Sequence, residues 1–316
     1  MAEDRRPWFK TLLSVRGSVI RAVLPRVGLC TVFSVVVALL YEAGMALSWP
    51  ILGNVVPSLV LGLLLVFRTN TSYERFWEGR KLWGNLVNTS RNLARQIWVS
   101  VDTSRASKEQ ALKLIVAFAF ATKQHLRQQP CAQEIQHLVT PAQLHQLQAT
   151  SSPPLEIAFW LGDYLQIQQD KRCLHPYQVQ AMAQQVNGLV DVLGGCDRIL
   201  NTPLPLAYSI HLKQLLVMYC LALPLQVVSE LSWWTVPVVS LVAFAVFGVE
   251  EIGLEIENPF GCDPNDLPLN AICHTLDRNI HDLIALAPSI ENSIENSIEN
   301  ANPRQMTGSP SKGHGP

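Results

Sequence analysis

Residues 59–84 read LVLGLLLVFRTNTSYERFWEGRKLWG, and the character of the sequence changes at Arg68. Seven of the eight residues before Arg68 are large and apolar. The residues after it carry acidic and basic side chains interleaved with aromatic ones. Such a change is typical of a helix that leaves a lipid bilayer, because charged side chains are costly to place in hydrocarbon.

The composition of the 316-residue chain predicts a membrane protein. Only 16% of its residues are charged and 48% are hydrophobic, whereas about a quarter of the residues are charged in a typical soluble domain. The formal net charge of -1 gives no indication of a nucleic-acid partner. We therefore expect the chain to meet a lipid bilayer and no nucleic acid.

Four apolar stretches approach the length of a membrane-spanning helix, which is about 20 residues. They lie at 27–42, in the later part of 43–67, at 214–229 and at 231–249. A single apolar run can also be the core helix of a soluble protein. Four runs grouped in two close pairs favour membrane spans.

The distribution of basic residues orients these spans. Lys and Arg cluster before the first span and after the second, whereas the two connections within the pairs contain none. The positive-inside rule then places both termini and residues 68–212 in the cytoplasm. Trp49, Trp233 and Trp234 lie at the opposite ends of the spans, where interfacial aromatic side chains are expected.

The remaining segments predict an all-α fold with four transmembrane helices and a helical cytosolic body. Residues 68–212 have helical periodicity and prolines between the helical stretches. After the fourth span, a turn precedes a helix with Asp266 as its predicted N-cap. The predicted organisation is a cytosolic segment 1–26, transmembrane helices 1 and 2 in 27–67, a cytosolic domain 68–212, transmembrane helices 3 and 4 in 213–250, a cytosolic segment 251–285 and a disordered tail 286–316 with an S-I-E-N repeat.

No enzyme motif, cofactor motif or clear metal site is present in the sequence. It lacks a P-loop, G-x-S-x-G, H-E-x-x-H and G-x-G-x-x-G, and its seven cysteines form no C-x-x-C pair. The acidic cluster Glu250, Glu251, Glu255 and Glu257 is interpreted as a solvated face beside the membrane rather than a metal site. Another three side chains, His274, Asp277 and His281, share a helix face and are interpreted as surface residues, with a metal site as the alternative.

The apolar half of the opening stretch has a helical stripe. Leu59, Leu63 and Phe67 recur at intervals of four residues and so lie on one face of the second membrane helix. Taken alone, this stripe is compatible with helix packing or with the lining of a narrow apolar pore. The residues themselves leave both interpretations open.

Four motifs together resemble the bestrophin family, especially its bacterial members. They follow the order of that family through residues 8–285, and they are WFKTLLSVRGSVI, LLLVFRTNTSYERFWEGRKLWGNL, VLGGCDRILNTPLPLAYSIHLKQ and EIENPFGCDPNDLPLNAICHTLDRNI. The resemblance implies a homopentameric ion channel in a bacterial inner or thylakoid membrane, with lipid and small inorganic ions as its other partners, and with no enzymatic activity and no cofactor.

Within that family, three hydrophobic side chains of the second membrane helix form a narrow neck ahead of an arginine. Carried over by position, the resemblance implies a pore neck at Leu59, Leu63 and Phe67 and a pore boundary at Arg68 and Glu74. Five copies of each neck residue would make stacked apolar rings that gate by dewetting.

Ion choice is left open by these residues. Basic side chains beside the pore exit favour anions such as chloride or bicarbonate, whereas Glu74 and Glu78 interleave with them and could pair at i, i+4. The basic residues are Arg68, Arg75, Arg80 and Lys81. The alternatives are a sodium-selective channel of the same fold and a non-conducting membrane scaffold.

Two further features of the family receive weaker support from this sequence. Animal bestrophins hold calcium in an acid-rich segment after the Asn-Pro-Phe-Gly motif, and here that segment offers only Asp263 and Asp266. A second, cytosolic constriction of the pore is expected around Leu174.

Overall fold

The computed structural model describes residues 17–47, 55–130 and 132–301. Within these ranges the chain folds into α helices without a β strand, which confirms the all-α prediction. The helices are α1 (Ile20–Glu42), α2 (Val55–Ser100), α3 (Arg105–Leu126), α4 (Ala132–Ile135), α5 (Pro141–Ala149), α6 (Pro153–Asp170), α7 (Pro176–Asn201), α8 (Leu206–Leu231), α9 (Thr235–Glu255) and α10 (Leu269–Ala301).

The chain divides into two compact units. The first holds the described residues up to Asn85, together with 126–129 and 192–268. The second holds 86–125, 130–191 and the part of the chain from Leu269 onward. The apolar half of α2 therefore belongs to the first unit.

Helices α1, α2, α8 and α9 form the apolar core of the first unit. Helix α1 packs along α9, and both contact α8. A hydroxyl pair, Thr31 and Ser240, joins α1 to α9 at 2.8 Å. The buried core side chains are Val23, Val27, Cys30, Leu61, Leu65, Leu212, Leu216, Cys220, Leu223, Val239, Ala243 and Phe247.

Two helical runs among the described residues are long and apolar enough to cross a membrane. They are Ile20–Glu42 and Leu206–Glu255. The second run is 50 residues long, and the 3₁₀ turn Ser232–Trp234 divides it into α8 and α9. The second predicted span falls partly on residues 48–54, which lie outside the described ranges, so four spans remain a prediction.

The turn between α8 and α9 carries two of the three tryptophans that are predicted to be interfacial. Ser232 adopts a positive φ of 48° at this corner. Trp233 and Trp234 are exposed, and the indole Nε1 of Trp233 donates a hydrogen bond to Glu42 at 3.0 Å. This bond ties the corner to the end of α1. Trp49, the third predicted interfacial tryptophan, lies outside the described residues.

The second unit is built around α3, whose residues 111–124 are all buried except Lys113. Lys123 on this helix is fully buried, and its Nζ lies 2.5 Å from Glu134 Oε2 on α4. Burial by itself would raise the pKa of Glu134, but hydrogen bonds from Lys123 and Gln124 and the charge of Lys123 outweigh it and lower that pKa. The pair thus keeps a buried ammonium compensated.

Several of the predicted domain boundaries fall within continuous helices. Helix α1 begins at Ile20, inside the predicted cytosolic segment 1–26, and α2 continues without a break across the boundary predicted at 67/68. Helix α10 continues to Ala301 and so includes residues 286–301 of the predicted tail, where the four-residue spacing of the isoleucines is compatible with a helix.

The predicted N-cap at Asp266 is also wrong. Helix α10 starts at Leu269, and the Asp266 carboxylate instead accepts a hydrogen bond from the backbone N–H of Asp263 at 2.7 Å. The backbone N–H of Asp266 also donates to the carbonyl oxygen of Asp263 at 3.1 Å, so the carboxylate is occupied within this turn. Residues 263–266 therefore form a hydrogen-bonded turn before α10 begins.

Candidate functional site

The predicted stripe lies on an uncovered face of α2. Leu59 is 69% exposed, Leu63 53% and Phe67 55%. On the opposite side of the same helix, Leu61 and Leu65 are buried in the core of the first unit. The chain packs one side of the helix and leaves the stripe free, so the stripe does not hold this single chain together.

The uncovered apolar face is wider than the three predicted residues. Val56 is 58% exposed and Val60 46%, and at 3.6 residues per turn both lie within about 60° of Leu63. The sequence contains this signal, because Val56, Val60 and Leu63 also follow a helical spacing. Steps of four residues back from Phe67 reach Leu63 and Leu59 but neither valine.

Arg68 does not lie on this face. Its side chain is 1% exposed, and its Nη2 lies 3.3 Å from Glu257 Oε2. Its Nη1 donates a second hydrogen bond, at 3.4 Å, to the hydroxyl of Ser209 on α8. The expectation that the Arg68 charge attracts anions beside the stripe is therefore wrong. Arg68 follows Leu65 by three positions and Leu61 by seven, so it lies with them on the packed side of α2.

Glu257 connects three parts of the first unit. Besides its contact with Arg68, its Oε1 accepts a hydrogen bond from the backbone N–H of Leu204 at 3.1 Å. Its carbonyl oxygen accepts one from Arg75 Nε at 3.2 Å. Arg75 also donates to the carbonyl oxygens of Ile199 and Thr202. The guanidinium of Arg75 is thus occupied by backbone acceptors.

The acidic cluster at the end of α9 is an ion-paired junction, which corrects its interpretation as a solvated face. Glu250 is 2% exposed, and Arg26 Nη1 lies 3.4 Å from its Oε2 and 2.7 Å from Glu251 Oε2. The sequence around the cluster does not indicate this burial, because the ion-pair partner Arg26 is distant along the chain. Glu255 contacts Asn265 through its carboxylate.

Beyond Arg68, the two glutamates of α2 differ. Glu78 Oε1 lies 2.6 Å from Arg198 Nη2 on α7, so the i, i+4 pairing expected within α2 is replaced by a contact between helices. Glu74 is exposed, and among the residues that the structure describes it has no ion-pair partner. Lys81, two turns further along, is exposed as well.

Leu174 does not fit the predicted cytosolic constriction. Its side chain is 4% exposed, in the segment that connects α6 to α7. A pore-lining side chain has to be accessible, so the prediction at this residue is wrong. Three residues later, Tyr177 is 79% exposed and stacks on His175 with ring centroids 5.2 Å apart.

The segment after the Asn-Pro-Phe-Gly motif does not fit a calcium site. Asp266 accepts a hydrogen bond from Asp263 N–H, and Asn265 Nδ2 donates to the carbonyl oxygen of Gly17 at 3.2 Å. Burial raises the pKa of Asp266. Two carboxylates, one of them already capped, supply too few oxygen ligands for calcium.

The alternative metal site on α10 is not assembled. His274 and His281 are exposed, and the His274 ring packs edge-on against Phe120 at 5.5 Å between centroids. In the described ranges no three His, Cys, Asp or Glu side chains come together in a way that could hold a metal ion.

Comparison with known proteins finds a bestrophin family model and relatives named as anion channel-forming proteins. Residues 1–282 match the family model described as Bacterial/Fungal Bestrophin protein. A protein of Nostoc sp. named voltage-dependent anion channel-forming protein is 56% identical over 92% of this chain and 96% of its own length. A protein of the same name from Escherichia coli (strain K12) is 30% identical over 88% of this chain and 91% of its own.

Solved structures show the same architecture. The crystal structure of a bacterial bestrophin homologue from Klebsiella pneumoniae has a TM-score of 0.78 at 27% identity, and covers 83% of this chain and 98% of that chain. A variant of that homologue with a single mutation has a TM-score of 0.79 at 26% identity, with 84% and 99% covered. Taken with the matched family model, these likenesses establish that the chain belongs to the bestrophin family.

Proposed function

We propose that the chain forms a membrane channel for monovalent anions, assembled as a homopentamer whose pore is lined by the uncovered face of α2. The observation that carries this proposal is the exposure of Leu59, Leu63 and Phe67 opposite the buried Leu61 and Leu65. A face that the chain leaves free and apolar over two turns is suited to a pore neck formed by several copies.

Apolar rings would gate by excluding water. Five leucines at 59 and 63 and five phenylalanines at 67 offer no hydrogen bonds to a hydrated ion, so a narrow ring dewets and blocks the ion until the helices move apart. Arg68 and Arg75, the first two arginines after this stripe, are already occupied by protein partners. They therefore do not wet the proposed neck.

The flanks of α2 support assembly into a closed ring. Two apolar cavities of about 310 Å³ each lie beside it, one against α8 around Met218 and Tyr219, the other against α9 around Val246 and Val249. A cyclic assembly covers both flanks of every copy with complementary surfaces. In the membrane, apolar concavities of this kind are suited to side chains of the neighbouring copy.

The anion preference rests on the names of the relatives from Nostoc and Escherichia coli. Chloride and bicarbonate are the proposed ions. Both termini are proposed to lie in the cytoplasm, from the basic residues that flank the spans, and the proposed membrane is a bacterial inner or thylakoid membrane.

Single-channel recording of purified protein in planar bilayers, with a potassium chloride gradient, tests this function. An anion channel gives a reversal potential close to that of chloride, and a value close to that of potassium would establish the cation-selective alternative. A protein that assembles but never conducts would overturn the proposal in favour of a scaffold.

Replacement of the stripe tests its role. We expect the triple variant Leu59→Ala, Leu63→Ala, Phe67→Ala to raise the open probability or conductance about tenfold, because smaller rings stay hydrated. The matched control is Leu24→Ala on α1, which is equally exposed but on another helix. Unchanged currents in the triple variant would contradict the pore-lining role and indicate that the stripe serves helix packing.

A further inference from the structure

Charge is distributed unevenly around α2 once the apolar stripe ends. At 3.6 residues per turn, Asn70, Glu74, Trp77 and Lys81 lie within about 40° of Leu63, on the same face. Arg68 lies about 140° away from Leu63 by the same measure, and it is buried there. The first formal charge that follows Phe67 on this face is therefore negative.

Arg68 and Arg75 do not offset that charge on the uncovered face. Arg68 is paired with Glu257, and Arg75 donates to three backbone carbonyl oxygens. Glu78, the other glutamate of this segment, is neutralised by Arg198 at 2.6 Å. Among the described residues, Glu74 alone of these groups is exposed and without an ion-pair partner.

Its position is suited to acting on ions. Seven residues separate Phe67 from Glu74, which is about 10 Å along the helix axis. That distance is close to the Debye length of about 10 Å at 0.1 M salt, so a ring of carboxylates there acts on an ion leaving the neck. Lys81, about 10 Å further on, bears the opposite charge.

We infer that Glu74 is a specificity-determining residue, whose carboxylate favours cations at the charged end of the apolar stripe and limits the preference of the channel for anions. This inference rests on the proposed function, because it requires the stripe to line the pore. The inference assigns ion selectivity to the uncompensated charge of Glu74 on the stripe face, and not to the buried Arg68.

Reversal potentials of charge variants in a potassium chloride gradient test the assignment. We expect Glu74→Gln to raise the chloride-to-potassium permeability ratio about threefold or more at 0.1 M salt, and Glu74→Lys to raise it further. Lys81→Gln should lower the ratio. The conservative variant Glu74→Asp should retain a value near that of the parent protein.

The matched control is Glu78→Gln, which removes the same charge one turn away, where Arg198 already compensates it. An equal shift from Glu78→Gln and Glu74→Gln would overturn the assignment to Glu74. The electrostatic origin is tested by repeating the measurement at 1 M salt, where the Debye length is about 3 Å and the shift should largely disappear.

The outcomes separate this inference from the proposed function. A parent protein that conducts, with unchanged reversal potentials in both Glu74 variants, contradicts the inference and leaves the channel intact. A parent protein that conducts no ions contradicts the proposed function itself. Elution of each variant as the same oligomer as the parent shows that a changed current does not come from misassembly.

Discussion

Arg68 illustrates how position on a helix decides the role of a charged residue. It follows the apolar stripe by one residue, yet it is buried against Glu257 and Ser209. A buried charge is tolerated only when partners replace its water, and removal of one partner leaves the other uncompensated. The expected role of Arg68 is therefore to hold this part of α2 against α8 and the segment after α9.

This role predicts a loss of stability. Arg68→Met keeps most of the side-chain volume but leaves Glu257 unpaired, and we expect it to lower the free energy of unfolding by about 3 kcal/mol. The double variant Arg68→Met, Glu257→Gln should recover part of that loss. Thermal unfolding in detergent measures both.

The comparison for this pair is Arg80→Ala, at an exposed arginine of the same helix, which should change the free energy of unfolding by about 0.5 kcal/mol or less. If Arg68→Met unfolds at the same temperature as Arg80→Ala, the buried pair is not a source of stability. One part of this result could be predicted from the sequence, because helical spacing places Leu61, Leu65 and Arg68 on one face of α2. The sequence could not reveal Glu257, because the partner is 189 residues away.

At the scale of elements, α2 continues through Arg68, in agreement with the helical pattern that the sequence shows on both sides of it. The sequence change at Arg68 marks a change of surroundings, and the helix itself continues for 46 residues from Val55 to Ser100. No proline follows Pro57 in this range, so no residue interrupts its hydrogen bonds. Other helices were predicted well because prolines mark their starts, as at Pro141, Pro153 and Pro176.

Glycines within these helices differ in their surroundings. A Cβ on Gly79 of α2 would lie 3.1 Å from ring atoms of Phe260 and Pro259, whereas a Cβ on Gly194 of α7 would meet no atom within 4 Å. We expect Gly79→Ala to cost about 1–3 kcal/mol through overpacking. Gly194→Ala should be neutral or stabilising by up to about 1 kcal/mol, since alanine favours the helix.

Thermal unfolding of the two glycine variants, purified in parallel, provides the measurement. Each serves as the control for the other, because both place one methyl group inside a helix. Equal melting temperatures for Gly79→Ala and Gly194→Ala would contradict the close approach of α2 to the Pro259–Phe260 turn.

At the scale of the whole molecule, the single chain leaves much apolar surface uncovered. Both the stripe and the cavities beside α2 are apolar and open. Composition and hydropathy predicted a membrane protein with helical pairs. Composition and hydropathy do not predict the number of copies in the assembly, because they do not show what covers the flanks of α2.

The proposed homopentamer predicts a defined mass. Five chains of 35.1 kDa give a complex of about 176 kDa, which native mass spectrometry of the detergent-solubilised protein should detect. Loss of the detergent should leave this mass unchanged. Detection of a single chain or a dimer as the main species would exclude the fivefold pore while leaving family membership intact.

Glu74 has no ion-pair partner in the part of the chain that the structure describes, and this has a consequence for how the protein changes over generations. Substitutions at an exposed residue without an ion-pair partner usually alter stability by about 0.5 kcal/mol or less. Arg68 and Glu257, by contrast, cannot vary separately without loss of folding free energy. Ion preference can therefore drift by single substitutions at position 74 in a lineage whose fold is preserved, so that close relatives of one architecture can differ in the ions they carry.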